Sequence, residues 1–248
     1  MKDKLNVLDH GFVVLRNLSG PTRRTIQGSL NAPMSRAFDA DDTDPANAAR
    51  MSFDGQDQDR TYEAEMKLNR YLMKNKHMTP FEMVVVWLEM KLPLFVARQF
   101  VRHGTARLNE ISGRYVKLPA EWYIPAIVGA SATDKKQGAS DQALAPLIQT
   151  AFQSDLNGQC KESYRLYENY IRDGVANEHA RLFLHVNHYT HWLWKQDLRN
   201  LMGFLLLRDH AHAQIEAQLY AQAITQLLAP HIPGLMQLYE DIMKGEGK

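Results

Sequence analysis

The sequence predicts an α+β protein in which residues 1–248 form a single domain, with a mixed sheet and helix half followed by a mainly helical half. Two observations predict this class. Alternating segments rich in β-branched residues lie early in the chain, whereas helical spacing of apolar residues dominates from about residue 148 onward. No internal repeat or clear linker interrupts the chain, and its length is ample for one large core.

The N-terminal part predicts a strand, a loop and a helix in that order. Residues 5–16 alternate loosely and include β-branched residues, which predicts a first strand. Residues 18–48 are rich in Gly, Pro, Asn, Asp and Ser, which predicts a long loop or an insertion. Residues 60–76 carry apolar side chains near helical spacing, and we expect a helix there.

The next segment predicts a strand, a helix and a second strand. Met83–Leu92 is rich in β-branched residues and alternates toward its end, which is typical of a buried strand. Pro93 suits the first turn of a helix, "PLFVARQFVRH" continues as that helix, and Gly104 is a natural stop. We expect the second strand over Gly113–Leu118.

The second half predicts a loop and then helices. Residues 126–146 are rich in Ala, Ser, Gly, Asp and Lys, which predicts a mobile loop. The remainder is expected to be mostly helical, with breaks near Gly174 and at Pro230 and Pro233. The aromatic run "YTHWLWK" indicates packing, and stacking on a folate is the functional alternative.

Composition limits the classes of function. Lys and Arg number 29 against 28 Asp and Glu, so nothing global favours nucleic acid or an anionic membrane as a partner. The single cysteine, Cys160, excludes an intramolecular disulfide framework, and its neighbours show no catalytic pattern. The N-terminus lacks the apolar stretch of a secretory signal, and the longest apolar runs are too short to cross a bilayer. We expect a soluble, cytoplasmic protein.

Arginines supply the strongest chemical signal. Arg98 and Arg102 are i,i+4 neighbours on the predicted helix, and Gln99 lies on the same side, so their heads can converge beyond the helix end. A solvated basic face is the simpler interpretation of such a pair. The following "NEISGRY" adds a carboxylate, a hydroxyl, a glycine and another arginine, and this set suits a phosphorylated small molecule. Arg181, in a predicted amphipathic helix, and Arg208, after three leucines, each need a carboxylate or an anionic ligand.

Several segments together resemble one enzyme family. They are "LDHGFVVL", "AARMSFD", "HMTPFE", "ARQFVRHGTARLNEISGRY", "WYIP" and "LRNLMGFLLLRDHAHAQIEAQLYA". Their order and spacing resemble those of the flavin-dependent thymidylate synthases over most of the chain. The resemblance implies a homotetramer with sites built between subunits. It also implies methylation of dUMP at C5 with methylene-tetrahydrofolate, FAD and NADPH.

The resemblance further implies particular site residues. The positions that match nucleotide-binding residues are Gln99, Arg102, Glu110, Ser112, Gly113, Arg114, Arg181 and Arg208. Ser112 and Arg208 are the implied catalytic residues, and Arg208 is expected to favour negative charge on the pyrimidine as C5 becomes nucleophilic. The positions that match flavin-binding residues are His77, Thr79, Glu82, Arg102, His103, Thr105, Arg107, Asn109, Asp197, Arg199 and His212. No metal ligand and no cysteine adduct are implied.

The sequence departs from the family pattern mainly on the flavin side. Gly104 stands where the family signature has its second arginine, and Arg107 stands where the family has serine. The other departures are Met83, His185, Asp197 and Gly203. A sibling reaction therefore stays open, either C5 modification of UMP or dCMP or formation of a hydroxymethyl product from dUMP. One hypothesis is that Arg107 restores the cation lost at Gly104.

The histidines leave a second class of function open. His185, His188 and His191 follow one another at three-residue steps, and a further group comprises Asp209, His210 and His212. Such spacing is compatible with a metal-dependent nucleotide phosphohydrolase of helical type. Three-residue steps drift around a helix, however, so the three histidines cannot share one face equally well. Core or interface histidines are the better interpretation.

A nucleic-acid-binding module is the third possibility. Arg102, Arg107 and Arg114, with Tyr115, form a basic and aromatic set of the kind that contacts single strands. The balanced net charge and the lack of a known binding module argue against it. We therefore expect a pyrimidine nucleotide and a folate as partners, and no nucleic acid or membrane.

Overall fold

The computed structural model describes residues 3–21, 40–53, 60–131 and 139–245. In these residues a five-stranded antiparallel sheet has the order β1-β2-β3-β7-β4, and a separate two-stranded sheet pairs β5 with β6. The strands are β1 (Lys4–Val7), β2 (Gly11–Ser19), β3 (Val85–Pro93), β4 (Arg107–Glu110), β5 (Gly129–Ser131), β6 (Ala139–Ala143) and β7 (Tyr189–Asp197). The predicted α+β class is confirmed.

Eight α-helices accompany the sheet in the described part of the chain. They are α1 (Asp44–Arg50), α2 (Tyr62–Lys74), α3 (Leu94–Phe100), α4 (Pro146–Arg172), α5 (Asn177–Ala180), α6 (Leu198–Arg208), α7 (Ile215–Leu228) and α8 (Pro233–Leu238). Shorter 3₁₀ turns cover Met51–Phe53, Thr79–Met83 and Arg181–Phe183, and a π-helical segment covers Tyr239–Lys244. None of the helices in these residues is long and apolar enough to span a membrane.

One face of the central sheet carries the core. Strands β3 and β7 pair along nine residues, so their alternate side chains point to the same face. On that face Leu88, Trp192 and Trp194 are almost fully buried. Phe204 of α6 packs edge-on against Trp194 at a 5.0 Å ring separation, and α7 covers the neighbouring strands. On the opposite face the intervening residues, such as Leu193, remain partly or largely exposed.

A close contact fixes the position of the first hairpin. Residues 5–16 form two strands rather than the single strand predicted, because a turn with Leu8 at φ 60 separates β1 from β2. Gly11 opens β2, and an added Cβ there would lie only 2.0 Å from the Tyr220 hydroxyl oxygen. The absence of a side chain at Gly11 therefore lets α7 dock directly on the hairpin.

Several predicted elements are confirmed with small shifts. The helix expected over residues 60–76 is α2, whose N-cap Thr61 accepts a hydrogen bond from the Ala64 amide. The strand expected at Met83–Leu92 is β3, and Pro93 is the N-cap of α3 as its fixed φ favours. The helix breaks are also confirmed, since Gly174 has φ +89 and α8 starts at Pro233.

Two predictions of secondary structure were wrong. Gly113–Leu118 is not a strand, because the Tyr115 and Val116 amides both bond back to the Ser112 carbonyl and close a turn. The ladder with β7 is instead formed by β4, just before that turn. Residues 189–197 are the strand β7 rather than helix.

The two predicted loops are also corrected in part. Within residues 18–48, β2 runs on to Ser19 and α1 begins at Asp44. The segment 22–39 lies outside the described residues. Within residues 126–146, β5 and β6 pair with each other, and residues 132–138 lie outside the described residues.

Candidate active site

The end of α3 meets the end of α6 around Arg208. Arg208 Nη2 donates a hydrogen bond to the Gln99 carbonyl at 2.9 Å and lies 3.3 Å from His103 Nε2. Arg102 lies two residues after the end of α3 and is close enough to Arg208 for its charge to lower the Arg208 pKa. We call Gln99, Arg102, His103 and Arg208 the Arg208 group. The structure thus brings together four predicted site residues that come from two distant segments.

The Arg208 group holds positive charge without a carboxylate. Burial, with the Arg102 charge as a second cause, lowers the pKa of Arg208 from its usual range. Burial and the charge of Arg208 likewise lower the pKa of His103, which favours its neutral form. Arg208 Nε is buried with no hydrogen-bond partner in the structure. Within the described residues neither arginine forms a salt bridge. An anion or a polar carbonyl bound here would therefore give Arg208 Nε the hydrogen-bond acceptor that it lacks.

Gln214 is a neighbour of the Arg208 group that the sequence interpretation missed. It precedes α7 as its N-cap, and its Oε1 accepts a hydrogen bond from Gln99 Nε2 at 2.6 Å. This contact fixes the Gln99 side chain from outside α3. A sequence signal was available, because Gln214 lies inside the motif that carries Arg208.

A second group forms where the chain leaves β4. Gly113 is buried, and an added Cβ there would lie 3.1 Å from Leu118 Cδ1 and 3.4 Å from Arg181 Cδ. The absence of a side chain at Gly113 thus admits the Arg181 stem. Ser112 Oγ accepts a hydrogen bond from the Arg114 amide at 3.3 Å. We call Ser112, Gly113, Arg114 and Arg181 the Arg114 group.

The Arg114 group differs from the Arg208 group in its electrostatics. Arg114 Nε donates to Glu178 Oε2 at 3.0 Å, and about half of each side chain is exposed, 53% and 44%. The partner Glu178 comes from α5 and was not among the predicted residues. Arg181, in the 3₁₀ turn after α5, forms no salt bridge within the described residues. The turn that presents this group is fastened to α4, because two tyrosine hydroxyls of that helix bond the Leu118 backbone.

Strand β4 separates the two groups within the chain. It spans four residues, so its ends lie roughly 10 Å apart. The Arg208 group lies before its start and the Arg114 group after its end. Glu110 closes the strand and accepts a hydrogen bond from the Thr190 hydroxyl of β7. Asn109 pairs opposite Leu193 on the exposed side of the sheet and lines a groove of about 710 Å³ there.

The predicted flavin-side residues gather near the other end of α6. Asp197 is the N-cap of α6 and accepts a hydrogen bond from the Asn200 amide. Arg199, in the first turn, binds the Glu82 carboxylate of the turn that contains Thr79. We call Thr79, Glu82, Asp197 and Arg199 the Glu82 group. Since α6 has 11 residues, this group lies roughly 16 Å from the Arg208 end.

Other flavin-side residues are spread more widely. His77 contacts the Tyr71 ring edge-on at 6.3 Å, near the start of the Thr79 turn. His212 follows α6 and bonds only locally, from its amide to His210 Nδ1 at 3.2 Å. Thr105 accepts a hydrogen bond from Gln196, whereas Arg107 Nη1 contacts the carbonyls of residues 104–106. Among the contacts of the described residues, these side chains do not form a single closed pocket.

The histidine constellation does not form a metal site. His188 and His185 line a small cavity of about 10 Å³ with Cys160, whereas His191 lies on the exposed sheet face and binds Glu89. Burial lowers the pKa of His188 to about 4, so it stays neutral near pH 7. No three His, Cys, Asp or Glu side chains are placed to hold a metal ion within the described residues. The phosphohydrolase alternative placed the three histidines on one helix, which is wrong, because His191 lies in the strand β7 and His185 and His188 precede it outside any helix.

Cys160 is buried and chemically quiet. Burial raises the pKa of its thiol, and Sγ lies 3.6 Å from Asn187 Oδ1. A raised pKa leaves little thiolate at neutral pH. That the chemistry uses no cysteine stays a prediction.

Comparisons with known proteins show the family of this chain. The family model described as thymidylate synthase complementing protein matches residues 35–234. The flavin-dependent thymidylate synthase of Treponema denticola is 38% identical over 229 residues, which cover 92% of this chain and 78% of that protein. The enzyme of the same name from Thermus thermophilus is 38% identical over 235 residues, with 95% and 77% covered.

A solved structure shows the same fold. The crystal structure of the UMP/dUMP methylase PolB from Streptomyces cacaoi, bound with 5-Br dUMP, gives a TM-score of 0.76 at 24% identity. The alignment covers 96% of this chain and 98% of PolB. With the family match and the sequence relatives, these findings establish that the chain belongs to the flavin-dependent thymidylate synthase family, the thymidylate synthase complementing proteins.

Proposed function

We propose that this protein methylates dUMP at C5 to give dTMP, with methylene-tetrahydrofolate as the one-carbon donor and FAD relaying hydride from NADPH. The observation that carries the proposal is Arg208, a partly buried guanidinium whose Nε has no partner and which no described carboxylate neutralises. It lies with Gln99 and Arg102 at the junction of two family motifs. A small anionic ligand with a polar carbonyl is the complement of this group.

Arg208 stabilises charge on the pyrimidine. When C5 becomes nucleophilic, negative charge spreads to the ring carbonyl oxygens, and a fixed guanidinium lowers the energy of that state. The protein has already oriented the side chain through the Gln99 carbonyl, so little reorganisation is needed during the reaction. Neutral His103 accepts from, rather than repels, the same guanidinium.

The Arg114 group binds the sugar and phosphate of the nucleotide. Arg114 and Arg181 are suited to a phosphate, and Ser112 offers a hydroxyl next to the ring, where we assign it a catalytic role. Glu110, at the end of β4, orients the nucleotide beside them. Arg114 exchanges Glu178 for the phosphate on binding, which costs little because a half-exposed salt bridge contributes only about 0–1 kcal/mol.

The two groups act in one site through assembly of subunits. Within a subunit they lie at opposite ends of β4, and we propose that each nucleotide is held by one group from each of two chains. In the homotetramer we propose, the Arg208 group of one subunit faces the Arg114 group of another. We also propose that residues 1–248 form one domain and that no metal takes part in the reaction.

The residues present fit a flavin dinucleotide. Arg102 and Arg107 carry charges that no described carboxylate neutralises, as the phosphates require. Around Gly104 and Gly203 no atom lies within 4 Å of an added Cβ, which leaves room beside the loop and α6. The remaining polar parts are held by His77, Thr79, Glu82, Asp197 and Arg199, with Thr105, Asn109 and His212. When bound, the flavin supplies the hydride that converts the transferred one-carbon unit to methyl.

A product analysis tests this function. The purified protein is incubated with FAD, NADPH, methylene-tetrahydrofolate and either dUMP, UMP or dCMP, and the nucleotide products are identified by mass. We expect dTMP from dUMP as the main product. A product one oxygen heavier than dTMP would instead indicate hydroxymethylation, and turnover of UMP alone would identify a sibling methylase. Loss of phosphate from the nucleotide would contradict methyl transfer altogether.

A further inference from the structure

The residue after Arg208 is a carboxylate at the C-terminal end of α6. Asp209 is the C-cap of this helix, and its amide donates a hydrogen bond to the Leu205 carbonyl at 2.8 Å. Only 11% of the Asp209 side chain is exposed. The C-terminal end of a helix carries partial negative charge, so a carboxylate there is unfavourable unless cations or N–H donors stabilise it. The partners of Asp209 therefore determine whether this end of α6 is stable.

Two donors from separate elements stabilise the Asp209 carboxylate. Lys244 Nζ donates to Oδ2 at 2.7 Å, and Gln222 Nε2 of α7 donates to Oδ1 at 2.9 Å. Each carboxylate oxygen thus has its own partner. The hydrogen bond with Asp209 also raises the pKa of Lys244, so its ammonium group stays charged. We call Asp209, Gln222 and Lys244 the Asp209 clamp.

Lys244 comes from a segment that is fixed in the core. It ends the π-helical segment Tyr239–Lys244, in which the Tyr239 and Ile242 side chains are almost fully buried. Lys244 Nζ also lies 3.3 Å from Glu240 Oε1, four residues earlier in the same segment, and this contact restricts its side chain. The clamp therefore joins the end of α6 to a well-packed part of the protein.

The clamp acts on Arg208 through the backbone. Arg208 is the last residue of α6 and directly precedes Asp209. The last carbonyl groups of a helix have no acceptor role within the helix, so the final turn moves readily unless another contact holds it. The Arg208 guanidinium meets the Gln99 carbonyl and the His103 ring, which belong to a different segment. These contacts keep their geometry only if the final turn of α6 stays in place.

The clamp also accounts for the charge of Arg208. Asp209 is the carboxylate next to Arg208 in sequence, but Lys244 and Gln222 occupy both of its oxygens. Burial and the charge of Arg102, and not a carboxylate, determine the direction of the Arg208 pKa shift. Asp209 is thus held in an arrangement that leaves the Arg208 guanidinium without a neutralising partner.

We propose that Asp209 and Lys244 are positioning residues for the Arg208 guanidinium. Asp209 fixes the final turn of α6, and Lys244 supplies the charge that keeps the Asp209 carboxylate in the clamp and away from Arg208. The buried Nε of Arg208 then stays available to a ligand. The effect on turnover rests on the proposed function, whereas the orientation of Arg208 does not.

The pKa of His103, measured by NMR titration of its ring, reports the position of Arg208 without any turnover. Burial and, second, the charge of Arg208 lower this pKa. Asp209→Asn keeps the shape of the side chain but accepts from only one of the two donors, so Arg208 moves away more often and the pKa of His103 should rise by roughly 0.3. Direct loss of the negative charge of Asp209 would lower that pKa instead. Arg208→Gln, which removes the guanidinium charge, should give the largest rise.

Turnover gives the second readout. In Lys244→Gln we expect kcat for dTMP formation to fall about tenfold and KM for dUMP to change by less than about twofold. The reason is that a displaced Arg208 stabilises the transition state poorly while the Arg114 group still binds the phosphate. Lys244→Arg keeps the cation and should retain most of the wild-type kcat. The double variant Asp209→Asn with Lys244→Gln should be no worse than Lys244→Gln, because the two residues act as one pair.

Arg70→Gln is the matched control. Arg70 Nη2 binds Asp241 Oδ2 at 3.1 Å and so attaches the same π-helical segment to α2 rather than to α6. It should leave the pKa of His103 and kcat at their wild-type values. A thermal melt shows whether each variant is folded at the assay temperature. If Lys244→Gln is not, Asp209→Asn, which leaves no carboxylate unpaired, carries both readouts.

Either of two results would overturn the proposal. In the first, the pKa of His103 in Asp209→Asn is equal to or below that in the wild-type protein. In the second, Arg70→Gln lowers kcat as much as Lys244→Gln, which would assign the effect to docking of the whole segment. A wild-type protein that forms no dTMP would reject the proposed function, and the pKa of His103 would still test the clamp, so the two failures are distinguishable.

Discussion

The Arg208 group and the Arg114 group each contain an arginine, but the two arginines differ in burial and in the partners of their guanidinium groups. Arg208 is held by neutral acceptors, is partly buried and has an unpartnered Nε. Arg114 is half exposed and paired with Glu178. The comparison teaches that the Arg208 guanidinium has a free donor in this structure, whereas the Arg114 guanidinium is paired with a protein carboxylate; under the proposed function only Arg114 must exchange its partner for the ligand.

The difference has an energetic consequence. A buried guanidinium with an unsatisfied donor costs free energy in the free protein, and a ligand recovers that cost on binding. An exposed pair such as Arg114 with Glu178 stabilises the fold very little, so breaking it costs little. We therefore expect substitutions in the Arg208 group to affect catalysis most, and substitutions around Arg114 to affect affinity.

Replacement of Arg208 should have the largest effect. Arg208→Gln removes the charge that we propose stabilises the pyrimidine, and we expect kcat/KM for dUMP to fall about 10²–10³-fold. The melting temperature should stay the same or rise, because a buried charge with an unpartnered Nε is removed. Steady-state kinetics and a thermal melt measure both quantities. Arg70→Gln, which removes only a surface pair with Asp241, is the control, and wild-type kcat/KM in Arg208→Gln would contradict the assignment.

Acid should weaken the support beneath the Arg114 group. His188 stacks on Tyr164, which in turn bonds the Leu118 carbonyl next to Gly113. Burial lowers the pKa of His188 to about 4, below its unfolded value near 6.5, so the unfolded chain binds the extra proton. Stability is therefore full above pH 6.5 and is lost as the pH falls. Between pH 7 and pH 5 we expect a loss of about 2 kcal/mol in the free energy of unfolding.

Urea denaturation at the two pH values measures this loss. His188→Gln should lack most of the pH-dependent loss, even if it is less stable throughout. His179→Gln, which changes an exposed histidine of α5, should behave as the wild-type protein does. An equal pH dependence in His188→Gln and the wild-type protein would remove His188 as the cause.

Breaking the salt bridge between Arg114 and Glu178 should have a smaller effect, which is on the affinity for dUMP. Glu178→Gln breaks the salt bridge and leaves Arg114 free, so we expect dUMP to bind about two- to fivefold tighter, because a half-exposed pair contributes little. Arg114→Gln should weaken dUMP binding about tenfold, because a charged hydrogen bond is lost. Glu162→Gln is a matched control on α4. Calorimetric titration with dUMP gives all three affinities, and weaker binding by Glu178→Gln would mean that Glu178 contacts the ligand itself.

The smallest expected effect lies on α6, between the Glu82 group and the Arg208 group. Gly203 is inside the helix, and no atom lies within 4 Å of an added Cβ. Gly203→Ala should raise the free energy of unfolding by about 0.5–1 kcal/mol, because alanine has the higher helix propensity. Gly11→Ala is the contrasting variant, since its Cβ would collide with the Tyr220 hydroxyl and destabilise the fold. A destabilised Gly203→Ala in urea denaturation would indicate that a partner subunit fills that space.

Local sequence patterns correctly predicted the helices and strands in which apolar residues repeat at one regular spacing. Helix α2 and strand β3 were confirmed because their apolar residues repeat at helical and alternate spacing respectively. Strand β7 was missed although Trp192 and Trp194 alternate there. Histidines at three-residue steps suggested a helix. The alternation of the two tryptophans, which determines that both are buried, indicates a strand instead.

The site was predictable only as far as its residues lie in motifs. Gln99, His103 and Arg208 lie in two of the motifs, and the structure brings them into contact, while their binding roles stay a prediction. The pairing of Arg114 with Glu178 was not predictable, because the two residues are 64 positions apart and α5 carries no motif.

The strand expected at Gly113–Leu118 was wrong for a related reason. Hydrogen bonds to the Ser112 carbonyl close a turn there. This turn is stabilised by contacts with α4, which local strand propensity does not reflect. Contacts between segments that are distant in sequence therefore determine the secondary structure where the local pattern does not.

Subunit mixing tests the central claim most directly, namely that the Arg208 group of one chain and the Arg114 group of another form one nucleotide site. Arg208→Gln and Arg114→Ala proteins are unfolded together, refolded and assayed for dTMP at a dUMP concentration well below KM, where each variant alone should have at most about a tenth of wild-type activity. Random assembly places both intact groups in the same site in about a quarter of sites, so about a quarter of wild-type activity should return. Activity no higher than the average of the two variants would contradict a shared site.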